Sequence, residues 1–220
     1  MKHTLARGGI EFLAVFLGLA FSFNIDEWRQ DNEVKNRLTA DYINIQKDLI
    51  NDITSLEAVI SFQEKSVENG KELILMIQKN KIFNYEKFIE HLSHVWNSST
   101  FFGTSSAYDA SVSSGRLTYF GDDELGNEIG IIYGHFYSRM DLNGEQVDSF
   151  WYLNNIGTHY FGADPFEINT KKQNLRKIFS NEYLGKLKIF IQMQGGYVFK
   201  AKNALNQMRK VEKLLRLKVD

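Results

Sequence analysis

Two constellations in this chain contain residue types able to do chemistry. His91 and His94 stand three apart, so on a helix both imidazoles share one face and could reach one metal ion if carboxylates arrived from neighbouring helices. The paired Glu-x-x-His motifs that build di-iron bundles are absent, so solvated or hydrogen-bonded histidines are expected. The second constellation is Tyr108, Asp109, Ser113, Ser114 and Gly115, which sets hydroxyls beside an acid. No G-x-S-x-G elbow surrounds either serine, and the phosphate-binding loop, zinc motif and dinucleotide fingerprint are all missing. A capped helix end whose serines bond the local backbone is the expected role. With no cysteine in the chain, disulfides, thiolate metal sites and a cysteine nucleophile are removed as well. No catalysis, metal or cofactor is expected. His135 and His159, 24 residues apart, support no site.

A third reactive group is defined by its surroundings. Glu11 lies at the start of the apolar stretch Gly8 to Trp28, whose 21 residues span roughly 30 Å as a helix, the hydrocarbon thickness of a bilayer. Trp28 then falls at an interface, and the segment reads as a retained membrane anchor. A cleaved signal peptide is the alternative, because the unbroken apolar run from Phe12 to Phe23 is short and Ala20-Phe21-Ser22 offers a small-x-small site. An ionised carboxylate facing lipid costs about 2.5 kcal/mol or more, so Glu11 either pairs with Arg7 at the membrane edge or faces inward in an oligomer. Arg7, Glu11, Ala14, Gly18, Ser22 and Asp26 form one small or polar stripe, and Ala14, Gly18 and Ser22 repeat the small-xxx-small pattern of associating membrane helices. Glu11, Ala14, Gly18 and Ser22 are thus the candidate helix contact, and a homo-oligomer is expected.

The remainder reads as helix. Pro165 is the single proline, and apolar residues recur at Val34, Leu38, Tyr42, Ile45, Leu49, Ile53, Leu56, Ile60, Val67, Ile74 and Ile77, close to a coiled-coil seam. The first helix is expected to reach residue 80 or to break near Gly70. Asn84 opens a second helix to Trp96, NSSTFFGTSS is a loop, and Tyr108 to Ser114 is a short helix stopped by Gly115. Arg116 to Phe120 could be extended. Asp122 opens a third long helix to about Tyr160, Thr170-x-x-Gln173 is a capping box, and Asn181 opens the last helix to about Lys218. The expected fold is all-α: an anchor over residues 1–28, continuing into an antiparallel bundle of about four long helices over residues 29–220.

Further surfaces follow from charge and from glycine. The net charge of −1 implies no nucleic-acid partner, but residues 182–220 hold nine Lys/Arg against three acids. A last helix returning to the membrane would bring Arg209, Lys210, Lys213, Arg216 and Lys218 to the lipid surface; pairing with the acidic first helix is the alternative. Gly126, Gly130 and Gly134, spaced by four, imply close approach of another helix or a docking groove. The high aromatic content reads as core. A short cationic start leans towards an extracytoplasmic bundle, with membrane lipids as partners.

Two separated motifs resemble a known pattern. Glu11, Gly18, Ser22, Ile25 and Trp28 match an anchor of the form G-E-I, apolar residues, a Gly, a small residue and I-N-N-W, with Asp26 and Glu27 where Asn is usual. Ser106-Ala107-Tyr108-Asp109 followed by Ser113-Ser114-Gly115 matches a Y-D-x-x-x-S-S-G segment. The chain in this respect resembles a domain-of-unknown-function family of uncharacterised membrane-anchored proteins. That resemblance implies a single-pass membrane protein with an all-helical domain and no established activity. The whole reading is a membrane-anchored bundle that binds or scaffolds, with a homo-oligomeric pore lined by Glu11 and a membrane-tethered small-ligand sensor as alternatives.

Overall fold

The computed structural model describes residues 2–79, 83–154, 167 and 171–219, and within the first helix the side chains of Leu13 and of residues 15–79. Among these residues the chain is helical with no strand: α1 Lys2–Lys79, α2 Tyr85–Val95, α3 Ser106–Ser113, α4 Arg116–Phe120, α5 Asp123–Ile131, a π-helical segment Ile132–Tyr137, α6 Ser138–Leu153, α7 Lys171–Ile178 and α8 Asn181–Val219. The expected boundary after residue 28 lies inside α1. Asn84 caps α2 by accepting from the Lys87 N–H at 3.0 Å, and Asp122 caps α5 by accepting from the Leu125 N–H at 3.1 Å. Gly115, at φ 73°, ends α3 in the left-handed conformation that a side chain would resist.

Packing begins with the pairing of α1 and α8. Fully buried positions on α1 run Leu38, Tyr42, Ile45, Leu49, Asp52, Leu56, Val59, Gln63, Ser66, Gly70, Leu73 and Ile77, in strictly alternating steps of four and three. On α8 the same alternation links Tyr183, Leu187, Phe190, Gln194, Tyr197, Ala201, Ala204, Met208, Val211 and Leu215. A seam repeating every seven residues keeps one face against a partner along the whole helix. The apolar stripe expected from sequence shares Leu38, Tyr42, Ile45, Leu49, Leu56 and Ile77 with this seam and departs from it at Ile53, Val67 and Ile74, which are half-buried. The true seam contains four residues that hydropathy rejects: Asp52, Gln63, Ser66 and Gly70.

Three of these four set the register at the centre of the pair. Gln194 donates to Gln63 Oε1 at 2.8 Å and to Ser66 Oγ at 3.0 Å, while Ser66 donates back to Gln194 Oε1 at 3.1 Å. Gln63 donates to the Ser99 carbonyl at 2.6 Å. One turn further along, Gly70 lets Ile191 press against bare backbone where any Cβ would collide. Gly70 is therefore a packing site inside a continuous helix and does not break it.

The fourth position of the bundle is composite, which corrects the expectation of about four long helices. α2 covers the distal part of α1, with His91 Nδ1 2.8 Å from Asn69 Oδ1. Residues 97–105 form the expected loop, which inserts Phe101 into the core and ties its polar groups to the long helices. Ser98 and Thr100 hydroxyls donate to the two oxygens of Asp148 at 2.6 and 2.7 Å, and the Phe101 N–H donates to Tyr197 Oη at 2.8 Å. The Thr104 N–H and hydroxyl donate to Asp52 at 2.8 and 3.1 Å. A non-helical backbone can enter a core only if its polar groups find such partners. α3 and α4 then cover the proximal part of α1, and α4 is helical where the sequence also allowed an extended stretch. The third long helix is interrupted by the π-helical segment and ends at Leu153, with Tyr160 outside the described residues.

The membrane-anchor expectation meets a plain finding: among the described residues, no helix is long and apolar enough to cross a membrane. Part of the expected anchor, the side chains before Leu13 and that of Ala14, falls outside those residues. Leu13, Val15, Leu17, Leu19, Phe21, Phe23, Ile25 and Trp28 are each at least half exposed, on a stretch of α1 that extends beyond the first core residue, Leu38.

Replacing Gln194 by Leu leaves Gln63 Oε1 and Ser66 without a partner inside the core, and each buried orphan costs about 1–3 kcal/mol. Urea unfolding should show Gln194→Leu destabilised on that scale. The pair Gln63→Leu with Gln194→Leu should lose less than the sum of the two single changes, because each removes the other's orphan.

Candidate functional site

Between α1, α3 and the π-helical segment lies a cluster of carboxylates and tyrosines. Asp52 is 4% exposed and already accepts both Thr104 donors; a third donor, Tyr137 Oη, approaches it at 2.6 Å. Tyr133, one π turn earlier, stacks on Tyr108 with ring centres 4.2 Å apart and planes 9° from parallel, and meets Tyr137 edge-on at 5.0 Å. The π geometry is held in part by Ser138, whose hydroxyl donates to the Tyr133 carbonyl at 3.3 Å. Such widened turns recur at functional sites because they redirect side chains that a regular helix would point elsewhere. Gly103 packs on the Tyr137 ring, which leaves no room there for a side chain.

Electrostatics define what these groups can do. Burial, then the Asp52 hydrogen bond and the charges of Asp52, Tyr133 and Asp48, push the Tyr137 hydroxyl far above its ordinary range. Burial, followed by the charges of Asp48, Asp52 and Asp109 and by Tyr108, does the same to Tyr133. Burial also pushes Tyr197 up to about 12, opposed by its bond from the Phe101 N–H. Burial thus holds these phenols protonated at neutral pH, with Tyr137 donating to Asp52 and Tyr197 accepting from Phe101. Asp48 sits one turn from Asp52 on α1, and its Oδ2 atom is buried without a hydrogen-bond partner, as is Tyr133 Oη.

A brace holds α3 and α4 beside this cluster. Asp41 accepts from Arg116 Nε at 2.6 Å and Nη2 at 3.0 Å, and from Ser111 Oγ at 2.8 Å. The Tyr42 hydroxyl accepts from the Asp122 N–H at 3.1 Å, tying the start of α5 to the same level of α1. Burial alone would raise the Asp41 carboxyl, but the Arg116 and Ser111 hydrogen bonds and the Arg116 charge together hold it below the ordinary value.

The residues singled out in the sequence distribute differently. Of the hydroxyl-rich turn, Ser114 bonds the Ser111 carbonyl at 3.0 Å and Asp109 accepts from Ser105 at 2.7 Å, both local contacts. Ser111, buried and bonded to Asp41, is the serine that matters to packing. His91 is engaged with Asn69, and among the described residues no group of three or more His, Asp or Glu could hold a metal ion. Among the described residues no helix packs closely on Gly126, Gly130 or Gly134. A Cβ at Gly126 would stand 4.0 Å from the Leu117 carbonyl oxygen and one at Gly130 3.9 Å from Tyr108 Oη, while Gly134 faces open space. Of the basic residues singled out on α8, Arg209 pairs with Glu57 at 2.6 Å, Lys210 with Glu128 at 2.8 Å and Lys218 with Asp122 at 3.0 Å. Lys213 and Arg216 are exposed. On α1, Gly18 and Ser22 are exposed, and nothing lies within 4 Å of where a Gly18 Cβ would stand. The side chains of Glu11 and Ala14, and His159, lie outside the described residues.

Asp48, Asp52, Tyr133 and Tyr137 were not singled out from sequence. The available signal was a single acid in a seam position: Asp52 lies three residues after Leu49 and four before Leu56, where an apolar residue belongs.

The Asp41 brace carries a pH signature. Because its folded carboxyl titrates below the unfolded one, its stabilisation is complete above about pH 5 and is lost as pH falls through the folded value. Thermal unfolding followed from pH 7 down to about pH 2 should therefore fall less steeply for Asp41→Asn than for the native chain, the variant already lacking the brace.

No curated protein and no solved structure matches the chain. A family model does, over residues 11–192, which reach from the exposed stretch of α1 through the 97–105 loop, the acid–tyrosine cluster and the first part of α8. The chain therefore belongs to the family of unknown function DUF6090.

Proposed function

We propose that this protein is a single-pass membrane protein whose helical bundle acts by binding or scaffolding, without chemistry of its own, and that its copies associate through the anchor. The observation that carries the reading is the sleeve of exposed apolar side chains on α1. At 100° per residue, Leu13, Val15, Leu17, Leu19, Phe21, Phe23 and Ile25 are distributed around most of the helix circumference. A helix that packs on one partner presents a stripe, whereas one surrounded by lipid is apolar nearly all round. Each such side chain left in water forgoes about 1.5–3 kcal/mol of burial, so the sleeve calls for a non-aqueous environment. The interruption in it is the small face of Gly18 and Ser22, which suits a second helix approaching at close range.

The binding reading draws on the character of the buried groups. The tyrosines of the cluster are held protonated, Asp52 accepts three donors, Ser114 is spent on a local bond and Ser111 on Asp41. Orientation with the bundle outside the cytoplasm remains part of the proposal, resting on the short cationic start.

Two measurements address it. In membrane fractions washed with alkaline carbonate, the protein should stay with the pellet, and Leu17→Asp with Leu19→Asp should release it; release of the native protein would overturn the anchor. Crosslinking in native membranes should trap an oligomer that Gly18→Leu abolishes and Leu19→Ile preserves, because only the first fills the close-approach face.

A further inference from the structure

We propose that the acid–tyrosine cluster is a binding site for one alkali-metal cation, held between Asp48 Oδ2 and Tyr133 Oη. Both atoms are buried and both lack a hydrogen-bond partner, although Tyr133 is 93% buried by the complement of its 7% exposure. Native interiors rarely leave such atoms unsatisfied, and two in one cluster require a common explanation. Their proximity follows from the packing. The Tyr133 ring is clamped between Tyr108 at 4.2 Å and Tyr137 at 5.0 Å, and the Tyr137 hydroxyl is 2.6 Å from Asp52, one helical turn from Asp48. The hydroxyl of Tyr133 accordingly sits in the field of Asp48 first, then Asp52 and Asp109.

Charge and ligand type select the occupant. Asp52 is compensated by three donors, whereas Asp48 forms no ion pair among the described residues; the nearby guanidinium of Arg116 is committed to Asp41. Asp48 is half-buried with its Oδ2 atom turned inward and without a partner, and it shares the cluster with carboxylate and phenol oxygens. Oxygen donors favour hard cations over zinc or copper. A divalent ion would call for more carboxylates than converge here, since no group of three or more metal-ligating side chains exists among the described residues. A monovalent ion balances the single free carboxylate, and the neutral Tyr133 hydroxyl supplies a second oxygen. Bound there, the cation joins α1 to the π-helical segment, against which α3 stacks through Tyr108.

The full-length protein in detergent is unfolded thermally in KCl, NaCl or choline chloride at equal ionic strength. The expected result is a saturable rise of about 3 °C in KCl or NaCl over choline. Asp48→Asn and Tyr133→Phe should each abolish that rise, and Asp41→Asn, in the neighbouring brace, should retain it. Equal midpoints in the three salts, or a rise that survives both substitutions, would overturn the site and leave a buried water bridging the two atoms. Should either variant fail to fold, hydrogen exchange of the native protein decides: amides of residues 132–137 should exchange more slowly in the favoured salt than in choline, and unchanged rates there would refute the proposal.

Discussion

The structure depends on one buried polar contact, the exchange of hydrogen bonds among Gln63, Ser66 and Gln194 where α1 crosses α8. Two antiparallel helices with heptad seams can slide by seven residues and still match apolar faces, so burial alone does not choose the register. A glutamine pair does, because any other register leaves amide groups unsatisfied inside the core at about 1–3 kcal/mol each. With Gln194 opposite Gln63, Ile191 falls on Gly70, and Arg209 and Lys202 fall within reach of Glu57 and Glu64. Those surface ion pairs follow from the register and add little to it.

From that register the course of segment 97–105, anchored by buried Phe101, follows. Its carbonyl at Ser99 takes the remaining Gln63 donor, its Phe101 N–H takes the Tyr197 hydroxyl of α8, and its Thr104 takes Asp52 of α1. The two long helices together supply the partners that let an irregular backbone lie against the core. The same segment brings Gly103 under the Tyr137 ring, so the loop and the π-helical turn position each other. A polar accounting that closes at Asp148, Gln63, Tyr197 and Asp52 is thus the reason that a short α2 and the small helices α3 and α4 can replace a fourth long helix.

The two functional proposals lie at different distances from this core. The apolar sleeve of α1 lies beyond the packed region, and its character follows from residues exposed on nearly every side. The cluster of Asp48, Asp52, Tyr133 and Tyr137 lies inside it, where a negative charge without a counterion is costly and demands compensation. The family match covers both regions and carries no activity for either.

Local signals in the chain determined the helical class, the caps at Asn84 and Asp122, the stop at Gly115 and the apolar sleeve, since each depends on neighbours within a few residues. They also placed the start of α8 at Asn181 and its end near Lys218, and left α1 either continuous to about residue 80 or broken near Gly70, which packing against Ile191 decides. The seam itself was legible at its apolar positions from Leu38 to Leu49 and at Leu56 and Ile77, but not between them, because hydropathy cannot recognise Asp52, Gln63, Ser66 or Gly70 as interior residues. Each is interior by virtue of a partner on another element: Thr104 and Tyr137, Ser99 and Gln194, Gln194 again, and Ile191. The acid–tyrosine cluster was hidden for the same reason, its members being 85 residues apart at Asp52 and Tyr137. Which polar side chains may be buried is decided by hydrogen bonds between distant segments, and those exist only once the tertiary structure has brought the segments together.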